Sequence, residues 1–200
     1  MGRWEPNGRE RLVLAALDLF AEQGYDSTTV AQIAERAGLT KTTFFRHFPD
    51  KREVLFVGQP VHSRLLVDAI ADAPADATPM EAVAAALDAV TASFVPEQRA
   101  FGPRLLKVVA ANRELRERSA FKRYGLAEAV AQALRLRGVE ERTATVAAEL
   151  GMLAFHDAFA RWTEPPHERT FTELAREELE RLWSAAAGLG EPRVTAAEPG

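Results

Sequence analysis

Through most of this chain apolar residues recur at intervals of three and four, the period of a helix with one buried face. Ile33, Ala34 and Ala37 keep that spacing in one segment, and Phe171, Ala175, Leu179, Leu182, Trp183 and Ala186 in the last. No run of β-branched or aromatic residues alternates with polar ones over strand length, so no sheet is expected. Several segments open on a capping residue followed three positions later by an acid: Asn7 to Glu10, Asp50 to Glu53, Thr78 to Glu81 and Thr170 to Glu173. Such pairs satisfy the free N–H groups of a first helical turn. At Thr78 the signal is strengthened by Pro79, at the first helical position, where a missing N–H costs nothing. No proline occurs between Pro103 and Pro165, a stretch rich in Ala, Leu, Glu and Arg. The pattern predicts an all-α fold with helices at 8–23, 29–37, 41–47, 51–72, 79–95, 98–111, 113–137, 141–162 and 170–187. Residues 188–200 lack apolar periodicity and read as a disordered tail.

The segment 30–48 carries the most information. Two short apolar sets, Ile33, Ala34 and Ala37, then Leu39, Phe44, Phe45 and Phe48, flank Gly38. Two short helices about a glycine turn make a helix-turn-helix. Ala34 is small where the helices cross, Gly38 suits a left-handed turn, Thr40 caps the second helix and Phe44 plugs the core. A second helix of this kind presents its N-terminal residues to base edges in a major groove; here these are Lys41, Thr42 and, one turn on, Arg46.

Charge changes the picture only locally. The 200 residues carry a net charge of −4, which argues against nucleic acid if taken as a whole. Between 36 and 52, however, Arg36, Lys41, Arg46, Lys51 and Arg52 oppose only Asp50, with His47 beside them. A surface of that sign can neutralise phosphates. The plainer reading of Lys51 and Arg52, solvation of a helix start, stays open. Arg3, Trp4, Arg9 and Arg11 precede or open the first helix, as either a basic arm or a disordered terminus.

The run Phe20-x-x-x-Gly24-Tyr25-x-x-Thr28-Thr29-Val30-x-x-Ile33-Ala34-x-x-Ala37-Gly38-Leu39-Thr40-x-x-Thr43-Phe44-Phe45-x-His47-Phe48-x-x-Lys51-x-x-Val54-Leu55 closely resembles the N-terminal domain of TetR-family transcriptional regulators over residues 8–57. The resemblance implies phosphate contacts from Thr29, Thr43, His47 and Lys51, and base contacts from Lys41, Thr42 and Arg46. Two positions depart from the family pattern. Phe45 stands where the family usually has Tyr, so a hydroxyl contact is lost, and Thr42 replaces a common glycine. The resemblance also implies the architecture: residues 1–57 as a three-helix DNA-binding bundle, 58–187 as a larger helical domain for effector binding and dimerisation. Helix 51–72, between the two, would be the lever.

In 141–162, Ala147, Gly151, Ala154 and Ala158 form a small-residue seam, beside a stripe of Met152, Phe155, Phe159 and Trp162. With Leu179, Leu182 and Trp183 of the last helix, the seam and Trp162 make a candidate dimer interface. Phe94, Phe101 and Arg104, around the expected breaks at Pro96 and Pro103, together with Met152, Phe155, His156 and Phe159, are candidates for an effector pocket. The stripe is more often core than ligand cage, and His156 more often a surface or hydrogen-bonded histidine than a ligand group. Such a pocket would favour an apolar or amphipathic ligand.

Cysteine is absent, which excludes disulfides, thiolate metal sites and a Cys nucleophile. The histidines at 47, 62, 156 and 167 lack metal-ligand spacing, and no phosphate-binding loop, HExxH or GxSxG occurs. The longest apolar runs are six residues, Leu12–Leu17 and Ala82–Leu87, too short to span a bilayer. The expected protein is therefore not an enzyme and needs no cofactor or metal, and the resemblance implies a cytoplasmic homodimer acting on operator DNA. Its expected activity is that of a repressor released by a small effector. A ligand-independent regulator or activator, and a helical carrier of small acyl-type molecules without specific DNA binding, are the alternatives.

Overall fold

The computed structural model describes residues 7–164 and 168–189, and every regular element among them is helical. In chain order these are α1 (Gly8–Gln23), α2 (Val30–Arg36), α3 (Lys41–His47), a single 3₁₀ turn (Arg52–Leu55), α4 (Gln59–Asp72), α5 (Pro79–Ala92), α6 (Pro96–Ala111), α7 (Arg113–Leu136), α8 (Glu141–Thr163) and α9 (Phe171–Gly188). Reciprocal capping boxes form at Asn7, Thr78 and Thr170, each with its acid three residues on. A further box, Thr29 with Gln32, opens α2.

One expected helix is divided. In place of 51–72 there is the 3₁₀ turn, then Phe56 to Gly58, then α4. Pro60 explains the break: inside a continuous helix it would lack an N–H and clash with the carbonyl four residues back, whereas near the start of α4 it costs nothing. The expected cap pair at Asp50 is also only half made. Asp50 accepts from the Arg52 and Glu53 amides, while the Glu53 carboxylate turns instead toward α7. Pro96 opens α6 as expected, but Pro103 is not a break, because α6 continues through it to Ala111. The expected tail lies outside the described residues beyond Leu189, as do Arg3 and Trp4.

Two apolar cores result. The first joins α1, α2, α3 and the 3₁₀ turn around Leu12, Leu17, Ile33, Phe44 and Val54, and takes in Val108 of α6 and Leu115 of α7. The second lies among α4, α5, α7, α8 and α9, with Ile70, Leu87, Leu134, Met152 and Leu174 at its centre. Close backbone approach ties α8 to its neighbours: a Cβ on Gly151 would meet a Val83 methyl at 2.6 Å, and one on Gly102 would meet a Thr163 methyl at 2.0 Å. Thus α6 packs both on the first core and on α8. The ion pair of Arg104 with Asp18 adds a polar tie from α6 to α1.

Candidate functional site

Helices α2 and α3 meet at a turn built as the spacing requires. Gly38 has φ of 65°, the left-handed region, and the amide of Leu39 donates to the Ala34 carbonyl at 2.8 Å. Arg11 of α1 reaches across and donates to the carbonyls of Ala37 and Gly38. Arg9 likewise donates to the Val57 carbonyl at 3.0 Å, so neither arginine is free as an arm. Thr40 caps α3, accepting from the Thr43 amide at 3.1 Å. Phe44 is wholly buried, and it orients the helix so that Lys41, Thr42, Phe45 and Arg46 face outward. Phe45 is 48% exposed, its ring edge-on to Phe44 and under the Lys41 ammonium at 5.9 Å.

The local cationic run is smaller than its count. Arg36 forms an ion pair with Glu22 at 2.8 Å, and Arg52 one with Asp50 at 2.9 Å. Lys51, expected on a phosphate, is instead turned inward. Its Nζ donates to the carbonyls of Tyr25 at 2.7 Å and Thr28 at 2.9 Å, and sits 4.0 Å from the Tyr25 ring centre. Burial pushes its pKa down, partly offset by the charges of Asp26 and Glu114. With two N–H groups committed and the ring on a third side, Lys51 clamps the turn before α2. Among the described residues Lys41 and Arg46 are in no ion pair. Thr29 is exposed, but its hydroxyl exchanges hydrogen bonds with Gln32. The Thr43 hydroxyl lies 3.0 Å from that of Thr40, and His47 is half-buried at the end of α3.

The second site is a cavity of about 210 Å³ among α4, α6, α7 and α8, closed on one side by Leu55 and Phe56. Phe94, Phe155, His156 and Phe159 line it. Three expected lining residues lie elsewhere. Phe101 packs against the first core, Arg104 pairs with Asp18, and Met152 is wholly buried, because helix phase turns these side chains away. His62 stacks on Phe94 with ring centres 4.9 Å apart. Burial holds the pKa of both His62 and His156 below the usual imidazole range. The Nδ1 of His156 is 2.6 Å from the Met152 carbonyl oxygen, which can only accept, so the neutral ring carries its proton there.

The cavity also has polar walls that sequence reading missed. Gln59, Ser119, Lys122 and Arg123 line it, and no carboxylate does among the described residues. Lys122 pairs with Glu53 at 2.9 Å, and Arg118 donates to the same carboxylate at 2.6 Å. The one available signal was the four-residue spacing of Arg118 and Lys122, which puts both on one face of α7.

The seam proposed for a dimer interface is placed differently. Ala147, Gly151, Ala154 and Ala158 are buried in the protomer's own core, together with Trp162 and Leu179, because α8 packs closely on α5 and α9. The apolar residues left outside on these helices are Val146, Leu153 and Trp183, the last 52% exposed, with Leu182 half-buried beside them.

No helix of the described residues is long and apolar enough to cross a membrane, and none of their His, Asp and Glu side chains gather in threes that could hold a metal ion. Residues 12–56 match the family model described as bacterial regulatory proteins of the tetR family. The chain is 40% identical over 82 residues to the HTH-type transcriptional regulator TcmR of Streptomyces glaucescens, a match covering 41% of this chain and 36% of TcmR. The chain thus matches about a third of that curated relative's length. Among solved structures, the TetR-family regulator PfmR of Thermus thermophilus is 26% identical with a TM-score of 0.50, covering 86% of this chain and 96% of that one. The T. thermophilus TetR-family repressor FadR, solved in complex with lauroyl-CoA, shares the fold at 23% identity and a TM-score of 0.51, covering 96% of this chain and all of that one. Residues 12–56 thus carry a helix-turn-helix of the tetR-family type, set on an all-α architecture that solved TetR-family regulators share.

Proposed function

We propose that the protein is a cytoplasmic, homodimeric repressor that binds a palindromic operator and leaves it when a small apolar or amphipathic effector enters the cavity among α4, α6, α7 and α8. The observation that carries the reading is α3 itself. It is a short helix capped by Thr40, anchored by Phe44 and stapled through Arg11, and it presents Lys41, Thr42 and Arg46 outward with no ion-pair partner for either cation among the described residues. Those three would read base edges, while Thr29, Thr43 and His47 would meet phosphates. Phe45 would contribute apolar contact only. Lys51 would act indirectly, by holding the turn that sets α2.

Two copies would meet through the outer faces of α8 and α9, around Val146, Leu153 and Trp183, placing two α3 helices for successive major grooves about 34 Å apart. A ligand that favours another spacing lowers operator affinity by population shift. With helix 51–72 divided, α6 is the better lever, since it packs on α1 at one face and on α8 at the other. The apolar wall of the cavity suits an acyl-type or aromatic body, and lauroyl-CoA in the FadR structure is a precedent in this fold.

Fluorescence anisotropy tests the reading, using DNA from upstream of the protein's own gene against scrambled DNA at about 150 mM salt, where phosphate-only binding is weak. Selective binding is expected. Equal binding to both, with a small molecule still held in the cavity, would favour the carrier. Selective binding that no small molecule relieves would favour a ligand-independent regulator or an activator.

A further inference from the structure

The cavity is asymmetric in charge. Its lining is apolar where Phe94 packs with Phe155 and Phe159 of α8, and basic at Lys122 and Arg123 of α7, with no lining carboxylate among the described residues. Lys122 has a second commitment. Its Nζ is 2.9 Å from Glu53 Oε2, while the Arg118 guanidinium holds Glu53 Oε1 at 2.5 to 2.6 Å. Glu53 is 13% exposed and belongs to the 3₁₀ turn that follows α3. Three largely shielded side chains therefore carry two positive charges and one negative, and the remaining positive charge borders a cavity with an apolar wall. One more anion would balance the group. It would also find a Lys122 nitrogen already desolvated, where charge-assisted hydrogen bonds are strong.

We propose that the ligand of this cavity is an amphipathic carboxylate whose head group takes Lys122 from Glu53 while its apolar body lies against Phe94, Phe155 and Phe159. The inference rests on the effector reading above and adds the ligand's charge and the contact it breaks. The cavity of about 210 Å³ is the bulk of about seven waters, which sets the scale at an acid the size of octanoate. When the head group captures Lys122, Glu53 keeps only Arg118, and the turn behind α3 loses one of its three ion pairs to α7. Ligand charge and the seating of the DNA-binding helices are thereby linked through a single lysine.

Isothermal titration of the full chain with octanoate and with octanamide, its uncharged counterpart, tests this. The wild type should bind octanoate about tenfold more tightly, the scale of one charge-assisted hydrogen bond. Lys122→Met should bring the two ligands to about equal affinity by removing that bond, and Lys122→Arg should restore the preference. Glu53→Gln should tighten octanoate about threefold or more by freeing Lys122, with octanamide unchanged as the control for folding. Equal affinities in the wild type, no octanoate binding at millimolar concentration, or weaker octanoate binding by Glu53→Gln would each overturn the proposal. Anisotropy on the same preparations separates the two readings. Octanoate preference without DNA selectivity leaves the ligand inference standing and removes the repressor, whereas DNA selectivity without octanoate preference does the reverse.

Discussion

The two candidate sites are built on opposite plans. Residues 7–57 put their polar residues outside on a short, tightly capped helix, so the side chains that would touch DNA are those the core leaves over. The cavity among α4, α6, α7 and α8 lies inside, and its apolar wall uses the same residue types as the core around it. A surface site is thus defined by spacing within about twenty residues. A cavity is defined by which helix turns which face where, over a hundred residues of chain. The difference also separates the two kinds of phenylalanine in this protein: Phe44 and Phe45 are adjacent, yet one is a wholly buried anchor and the other is open to solvent.

That pair gives the largest expected effect. Phe44→Ala should cost about 3–5 kcal/mol, whereas Phe45→Ala should stay within about 0.5 kcal/mol. Chemical denaturation followed by circular dichroism measures both, and similar losses would erase the distinction between anchor and surface. The next effect concerns α8. Gly151→Val should cost about 1–3 kcal/mol by driving a side chain into Val83, with the oligomeric state unchanged. Trp183→Asp should do the opposite, giving monomers in the ultracentrifuge with little loss of protomer stability. If Gly151→Val dissociates the protein instead, the small-residue seam is an interface after all.

A pH titration sharpens the contrast between inside and outside. His62 and His156 have depressed pKa values in the fold because they are buried, so as pH falls the unfolded chain takes up protons first. Stability from these two residues is complete above pH about 6.5 and is lost below it, until the folded histidines also protonate. Thermal melts between pH 7.5 and 5 should show the decline, and replacing both histidines by Gln should flatten it. Around His156 the Met152 carbonyl and Asp157 favour the proton and Arg123 opposes it, yet burial is the largest influence. The smallest effect lies on the outer face: Lys41→Ala should weaken binding to the operator more than binding to random DNA, with the salt slope on random DNA nearly unchanged. Lys51→Met should instead weaken DNA binding through a less stable turn, visible as a lower melting temperature. A slope change for Lys51→Met without that destabilisation would return Lys51 to the phosphates.

Most of the first core was legible because local rules decide it. Thr40 caps, Gly38 turns and Phe44 plugs at fixed distances from one another, and each does so in the structure. The inward turn of Lys51 was not legible, because its partners, the carbonyls of Tyr25 and Thr28, are backbone atoms that no residue type announces. The alanine and glycine seam of α8 was correctly read as a place of close approach, but spacing does not say whether the approaching helix belongs to the same chain. Val83 of α5 answers that. Phe155 and Phe159 line a cavity while Met152, on the same helix, fills the core. Only the packing of α4, α6 and α7 against that helix separates the two roles. For Lys122 the spacing from Arg118 shows only a shared helix face, because its meaning comes from Glu53, sixty-nine positions earlier.

Selection of binding sites from random duplexes by the intact protein shows whether α3 reads DNA as one of a symmetric pair. Enrichment of a two-fold symmetric sequence with half-sites about one helical turn apart is expected, with loss of preference at a defined base pair in each half-site for Lys41→Ala. Recovery of sequences with no symmetry and no base preference would contradict that reading, and would make the cavity rather than the helix-turn-helix the working part of the molecule.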